Sequence, residues 1–122
     1  KYLDIDNQRR REIASKYIKG FENCLNIVIV PHNSACVSSR HLFQIRVKHR
    51  DEIIELLNHK NIYPGVHYKD NTQYSIYSTF NHPCPKAAVA SSELISLPLH
   101  LWLTDDDVAY VIESVKQSVA LT

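Results

Sequence analysis

A glycine-opened turn, Gly65-Val66-His67-Tyr68, carries the side chains best suited to chemistry in this chain of 122 residues. The imidazole and the phenol can each donate a hydrogen bond to a phosphate or sugar oxygen, and the phenol can stack on a sugar or a base. A satisfied turn histidine and a half-buried tyrosine would show the same residue types. Gly65 is one of only two glycines. It therefore meets a backbone demand, either a positive φ or the close approach of another group.

Four further residues near this turn are candidate substrate contacts. Lys69 follows the turn, Asn71 and Tyr74 lie in the next loop, and His41 stands before a predicted strand. We interpret Lys69 as a solvated or phosphate-contacting side chain rather than a covalent nucleophile. For His41, burial with the ring bonded to the backbone is favoured over contact with a ligand.

The composition excludes several classes of protein. Forty-four per cent of the residues are apolar and 22% are charged, as in an ordinary globular domain. The net charge of +1 gives no electrostatic basis for binding nucleic acid or a membrane surface. No apolar run approaches the roughly 20 residues that span a bilayer. Three cysteines, an odd number without a Cys-x-x-Cys pair, favour a reducing compartment, and we expect a cytoplasmic protein.

Neither a metal site nor a whole protein is indicated. His32, Cys36 and His41 are spaced by four and five residues, whereas zinc sites use four ligands, mostly in short paired spacings. The chain contains no methionine and begins at Lys1. We therefore expect a piece of a longer protein.

Apolar periodicity predicts four helices, over residues 4–21, 51–60, 85–94 and 105–119. Pro85 suits the first turn of the third helix, and Thr104 is a strong N-cap for the fourth. Asn61 suits the left-handed position that follows the second helix. The arginines at positions 9, 10 and 11 are interpreted as a solvated face of the first helix.

Three short strands are predicted, over residues 27–30, 42–48 and 95–97. Alternation in the second strand places Arg46 opposite its apolar face, and we expect Arg46 to pair with a carboxylate of a covering helix. Residues 62–68 are expected to be extended, and residues 69–83 form a long aromatic-containing loop of a kind that is often functional. The order of elements predicts an α+β fold, a two-layer sandwich of a small, mostly antiparallel sheet and helices.

Three motifs in a fixed order resemble the C-terminal domain of the DegT/StrS family of sugar aminotransferases. They are His41-Leu42-Phe43-x-Ile45-Arg46-Val47, Gly65-Val66-His67-Tyr68, and Ser96-Leu97-Pro98-Leu99-His100 followed by Leu103-Thr104. The helix that contains Asn7, Arg10 and Tyr17 is similar to the family's helix between its large and small domains.

This resemblance implies the small domain of a fold type I aminotransferase that uses pyridoxal phosphate. Such enzymes transfer an amino group, usually from glutamate, to a keto-sugar attached to a nucleotide, and the products enter lipopolysaccharide, other surface glycans or antibiotics. Relatives are homodimers. The cofactor lysine would lie in a large domain outside this chain. This chain itself would then contain no catalytic or cofactor-binding residue. Residues 1–21 would join that domain to the small domain, residues 22–122.

The chain departs from the family pattern at three places. Gln44 stands where an apolar residue is common, Asn61 where glycine is common, and Lys69-Asp70-Asn71 where many relatives have a proline-containing stretch. Because the last departure falls in the loop that would approach the nucleotide-sugar, the sequence does not determine which sugar or which nucleotide is bound. Two other hypotheses remain: a free-standing α+β module that binds a small ligand, and the equivalent domain of a related sugar dehydratase.

Overall fold

The computed structural model describes residues 1–33, 35–79 and 82–122. Its main elements follow the predicted order, and they are α1 (Leu3–Gly20), β1 (Val28–Ile29), β2 (Phe43–Arg46), α2 (Arg50–His59), α3 (Pro85–Glu93), β3 (Leu94–Leu97) and α4 (Asp105–Leu121). The predicted α+β class is confirmed; β1 and β2 are shorter than the predicted strands, and β3 starts one residue earlier than predicted.

The strands form one antiparallel sheet in the order β1-β2-β3. Val28 pairs with Arg46 across the first strand pair, and Ile45 pairs with Ile95 across the second. Alternation in β2 buries Phe43 and Ile45 and leaves Gln44 and Arg46 half-buried. The sheet therefore has an apolar face against helices and a more polar face.

Helix α1 supplies part of the single apolar core. Its Ile13 and Tyr17 are completely buried, and the Tyr17 ring lies 5.0 Å from the ring of Phe43, centroid to centroid. The Tyr17 hydroxyl donates to the Pro98 carbonyl over 2.8 Å. Burial, and then the charge of Asp107, raises the pKa of the Tyr17 phenol, so this donor keeps its proton.

The ends of two helices behave as the sequence predicts. Asn61 has a φ of 58° directly after α2 and its C-cap residue. Thr104 caps α4 in a capping box, because its Oγ1 accepts from Asp107 N over 3.1 Å and its own N–H donates to the Asp107 carboxylate over 2.9 Å.

Charged side chains fasten α1 to the start of α4. Arg9 donates to the Leu103 carbonyl over 2.6 Å and to Asp105 Oδ1 over 3.1 Å, and Lys16 also pairs with Asp105. The interpretation of Arg9 as part of a solvated face was therefore wrong. The residue spacing could not show this, because the partner lies 96 positions away.

The loop after the glycine turn is more regular than expected. Two short 3-10 helices, Asn71–Gln73 and Ser75–Tyr77, replace part of the aperiodic segment predicted over residues 69–83. The aromatic Phe80, which contributed to that prediction, lies outside the described residues.

The structure was also searched for membrane-spanning helices, metal-ligand clusters and disulfide bonds. In the described ranges, no helix combines the length and apolarity needed to cross a membrane. The same residues contain no group of three or more His, Cys, Asp or Glu side chains that could hold a metal ion. The three cysteines are all unpaired.

We predict that Asp105→Asn will reduce the sensitivity of this fold to acid. Hydrogen bonds from Lys16 and Arg9 lower the pKa of the Asp105 carboxyl, so its ion pairs stabilise the fold above the ordinary aspartate range and are lost as pH falls through the folded-state pKa. Between pH 6 and pH 2, the free energy of unfolding measured with urea should fall less in this variant than in the wild type. Asp106→Asn is the matched control, and equal acid sensitivity in the wild type and Asp105→Asn would contradict the assignment.

Candidate ligand-binding site

The glycine turn is held beside β3 as a continuation of the sheet. Gly65 N–H donates to the Ser96 carbonyl over 2.9 Å, and Ser96 N–H donates to the Gly65 carbonyl over 2.7 Å. Ser96 is buried, with 4% of its surface exposed. The turn is therefore anchored on a rigid part of the core rather than on a free loop.

The structure distinguishes the two possible reasons for a glycine at position 65. Gly65 does not have a positive φ. A Cβ atom at this position would instead collide with the imidazole of His67, and Nδ1 of that ring would lie only 3.0 Å from it. Close approach is thus the demand that glycine meets, and it brings the His67 ring over the turn.

Gln44 fixes the far end of the turn. Its side-chain amide on β2 donates to the His67 carbonyl over 2.6 Å, and it lies 3.4 Å from Ser96 Oγ. An apolar residue, which is common at this position in the resembling family, could not make this bond. The departure from the family pattern at Gln44 therefore provides a hydrogen bond that holds the turn against β2.

Tyr68 offers an accessible donor to a ligand, whereas the Nδ1 atom of His67 does not. The His67 Nδ1 atom is buried and makes no hydrogen bond within the described residues, while the Tyr68 side chain is 74% exposed. The two rings meet edge to face with centroids 5.2 Å apart. The peptide bond between the two residues is cis.

His41 lies with His67 and Tyr68 rather than in the core. All three residues line one cleft of about 370 Å³, together with His32 and Arg40 from the preceding loop. His41 is exposed, so the expected burial was wrong. The reason is that the core face of β2 begins only with Phe43. Sequence reasoning gave no ligand role to His32 or Arg40.

The remaining candidates lie on the other side of Tyr68. Lys69 and Tyr74 line a second cleft, of about 480 Å³, which Tyr68 also borders. The Lys69 ammonium lies 5.8 Å from the centroid of the Tyr74 ring, within reach of a cation–π contact. Asn71 is exposed and starts a 3-10 helix, and it does not line either cleft.

Asp70 orders this part of the chain. Its Oδ1 accepts from Thr72 N over 2.9 Å and from Thr72 Oγ1 over 2.8 Å, and its backbone N–H donates to Ser91 Oγ over 2.9 Å. Asp70 is 8% exposed. The departure at residues 69–71 therefore builds an anchored loop beside the second cleft.

Arg46 has a structural role next to this site. Its Nε and Nη2 donate to Glu93 Oε2 over 2.9 and 2.6 Å, at the end of α3. The predicted pairing of Arg46 with a helix carboxylate is confirmed, and the pair occupies Arg46 away from the His67 cleft.

Several solved sugar aminotransferases share this fold. Spr1654 of Streptococcus pneumoniae, assigned as a sugar aminotransferase, is 32% identical, with a TM-score of 0.90, in its PMP form. The match covers 98% of this chain and 32% of that one; a PLP form of the same protein matches equally well. PseC of Helicobacter pylori, an aminotransferase of pseudoaminic acid biosynthesis, is 26% identical with a TM-score of 0.92, over 99% of this chain and 34% of that one. This chain therefore has the fold of about a third of each of these aminotransferases.

The chain belongs to the DegT/DnrJ/EryC1/StrS aminotransferase family, whose model matches residues 1–116. A curated relative, the dTDP-3-amino-3,6-dideoxy-alpha-D-galactopyranose transaminase of Aneurinibacillus thermoaerophilus, is 34% identical over 119 residues, which are 95% of this chain and 32% of the relative. The chain thus spans about a third of the length of the proteins that it matches.

Pyridoxal phosphate, the cofactor of this family, is bound covalently by a lysine, and the surroundings of each lysine in this chain can be compared with what that bond requires. The lysine amine is activated by a desolvated site or by a neighbouring cation. None of the eight lysines is buried. Lys16 and Lys116 pair with carboxylates, Lys60 donates to Gln117, and Lys69 lies exposed beside Tyr74.

We predict that Gly65→Ala will displace the His67 ring and cost about 1 kcal/mol, at the low end of overpacking penalties. In a His67→Ala background the obstacle is gone, so the same change should be neutral or slightly stabilising. Urea unfolding of the four proteins gives the coupling energy, and imidazole NMR signals report the ring position. An equal cost in both backgrounds would mean that the backbone, rather than the ring, requires glycine.

Proposed function

We propose that this chain is the C-terminal small domain of a pyridoxal-phosphate-dependent aminotransferase, which we call the parent protein. The parent would transfer an amino group from glutamate to a keto-sugar linked to a nucleotide. The family match over residues 1–116, with the fold likeness to a sugar aminotransferase in its PMP form, carries this proposal. A nucleotide-linked substrate is supported by the dTDP-sugar transaminase among the relatives.

The domain would contribute one wall of the active site. His41, His67 and Tyr68 would contact the substrate in the first cleft, and Lys69 and Tyr74 would contact it in the second. Asn71 lines neither cleft and stays a candidate only through its place in the same loop. The phenols and imidazoles suit hydroxyl-rich and phosphate-bearing ligands, since a phenol carries an O–H on an apolar ring and an imidazole carries at least one ring N–H. Residues 1–21 would connect this domain to the large domain.

The parent would supply what this chain lacks. A lysine of the large domain would bind the cofactor, and the chain alone would therefore be inactive. We also propose a homodimeric, cytoplasmic parent whose product enters a surface glycan such as lipopolysaccharide. The pseudoaminic acid enzyme among the structural neighbours supports a sugar-biosynthetic role.

The decisive experiment is to determine the coding sequence upstream of Lys1. A large α/β domain with a lysine at the cofactor position supports the aminotransferase. A histidine at that position supports the related dehydratase. The absence of any such domain contradicts both and leaves a free-standing ligand-binding module.

We predict that Tyr68→Phe lowers kcat/KM of the parent for its sugar substrate about tenfold, because one ligand hydrogen bond is lost. Tyr63→Phe is the matched control, since Tyr63 is 71% exposed on the same segment and lines neither cleft. Steady-state kinetics of both variants test the role of Tyr68. Equal effects would indicate that the phenol at position 68 makes no special contact.

A further inference from the structure

The first cleft is lined by hydrogen-bond donors that no acid opposes. Its described ionisable residues are His32, Arg40, His41, His67 and Tyr68, and no Asp or Glu lines it. A neutral imidazole still carries one N–H, a phenol carries one O–H, and a guanidinium carries five N–H donors. Such a surface is complementary to a ligand that is rich in acceptor oxygens and carries negative charge.

Arg40 is the permanent positive charge of this cleft. Its Nη2 lies 2.9 Å from His32 Nδ1, and its backbone N–H donates to Ser38 Oγ over 3.1 Å. In the described parts of the chain, no carboxylate forms an ion pair with it. Most of its guanidinium donors therefore remain available to a ligand.

The backbone at Arg40 is in an unfavourable conformation. Its φ of 51° lies in the left-handed region, which costs a non-glycine residue of this kind roughly 1 kcal/mol or more. Glycine would fit this position without that cost. The fold therefore retains a long cationic side chain at a place where its own stability would favour glycine.

We infer that Arg40, with His32 and His41, binds a phosphate or diphosphate group of the ligand. Which ligand carries that group rests on the proposed function, in which it is the diphosphate of the nucleotide-linked sugar. Arg40 would neutralise charge through its planar fork, and the imidazole of His41 would donate to a remaining oxygen. His32 would hold the guanidinium in place, since its two ring nitrogens lie 2.9 and 3.1 Å from Arg40 Nη2. Tyr68 and His67 would then face the part of the ligand beyond the phosphates.

The number of donors favours phosphate over carboxylate. A carboxylate presents two oxygens in a single plane, and a bidentate contact with the fork of Arg40 fixes that plane, which leaves fewer directions from which the imidazole of His41 can donate. A diphosphate presents oxygens in several directions. The cleft volume of about 370 Å³ leaves space for such a group and for part of a sugar.

Isothermal titration of this chain with inorganic pyrophosphate tests the inference. We expect binding that weakens with added salt and a rise in Kd of about tenfold or more in Arg40→Gly, since one charge-assisted contact is worth that factor. Arg40→Gly suits the left-handed backbone, so it should remain folded, and Arg40→Gln provides a second side chain without charge. Arg11→Gln removes the same charge from α1, at a residue that does not line the cleft, and should bind like the wild type.

Parallel titrations separate the possible sources of binding. Tighter binding of dTDP than of pyrophosphate would support a nucleotide diphosphate, and equal binding would support a free phosphate group; both agree with the assigned chemistry. No pyrophosphate binding, equal loss in Arg11→Gln and Arg40→Gly, or glutarate binding as tightly as pyrophosphate would overturn it. These outcomes are independent of the upstream coding sequence, so the anion site and the aminotransferase assignment can fail separately.

Discussion

The two backbone hydrogen bonds between Gly65 and Ser96 position everything else in the candidate site. They hold the turn at the edge of a sheet whose strands are buried against helices. Because backbone pairing fixes distance and register together, the side chains that follow the turn leave the sheet edge in a defined direction. Gln44 then fastens the carbonyl of His67, so the turn is held at both ends.

The helices matter to the site because they keep this sheet in place. Phe43 and Ile45 of β2 are buried in the same core as Tyr17 of α1, and the Tyr17 hydroxyl reaches the Pro98 carbonyl after β3. The first helix is thus an integral part of the packing around the strand that carries Gln44. Its position relative to any preceding domain would be transmitted to the sheet through rigid contacts.

Periodicity predicted the helices and the strand faces, because each depends on the spacing of residues close in the chain. The face of β2 that carries Arg46 predicted a carboxylate partner on a covering helix, but not that the partner is Glu93, 47 positions away. The position of His41 and the contribution of His32 and Arg40 could not be predicted in this way. They depend on how the loop before β2 folds against a turn some 25 residues later, and a loop has no period that reports its path. Gly65 lies between these cases. Because the chain has only two glycines, the sequence marked position 65 as constrained, but only the position of the His67 ring shows that the constraint is close approach. The substrate assignment itself came from the order of motifs rather than from any single residue.

Tyr68 borders both clefts, and this shared position has a consequence for how specificity could change. Apart from Tyr68, the two clefts have no lining residue in common, so a ligand that occupied both would contact two different sets of residues. Substitutions in the loop before β2 would then alter recognition of one end while leaving the other intact. Specificity for one part of the ligand could therefore change, by evolution or by engineering, while the contacts to Tyr68 and to the other part are kept.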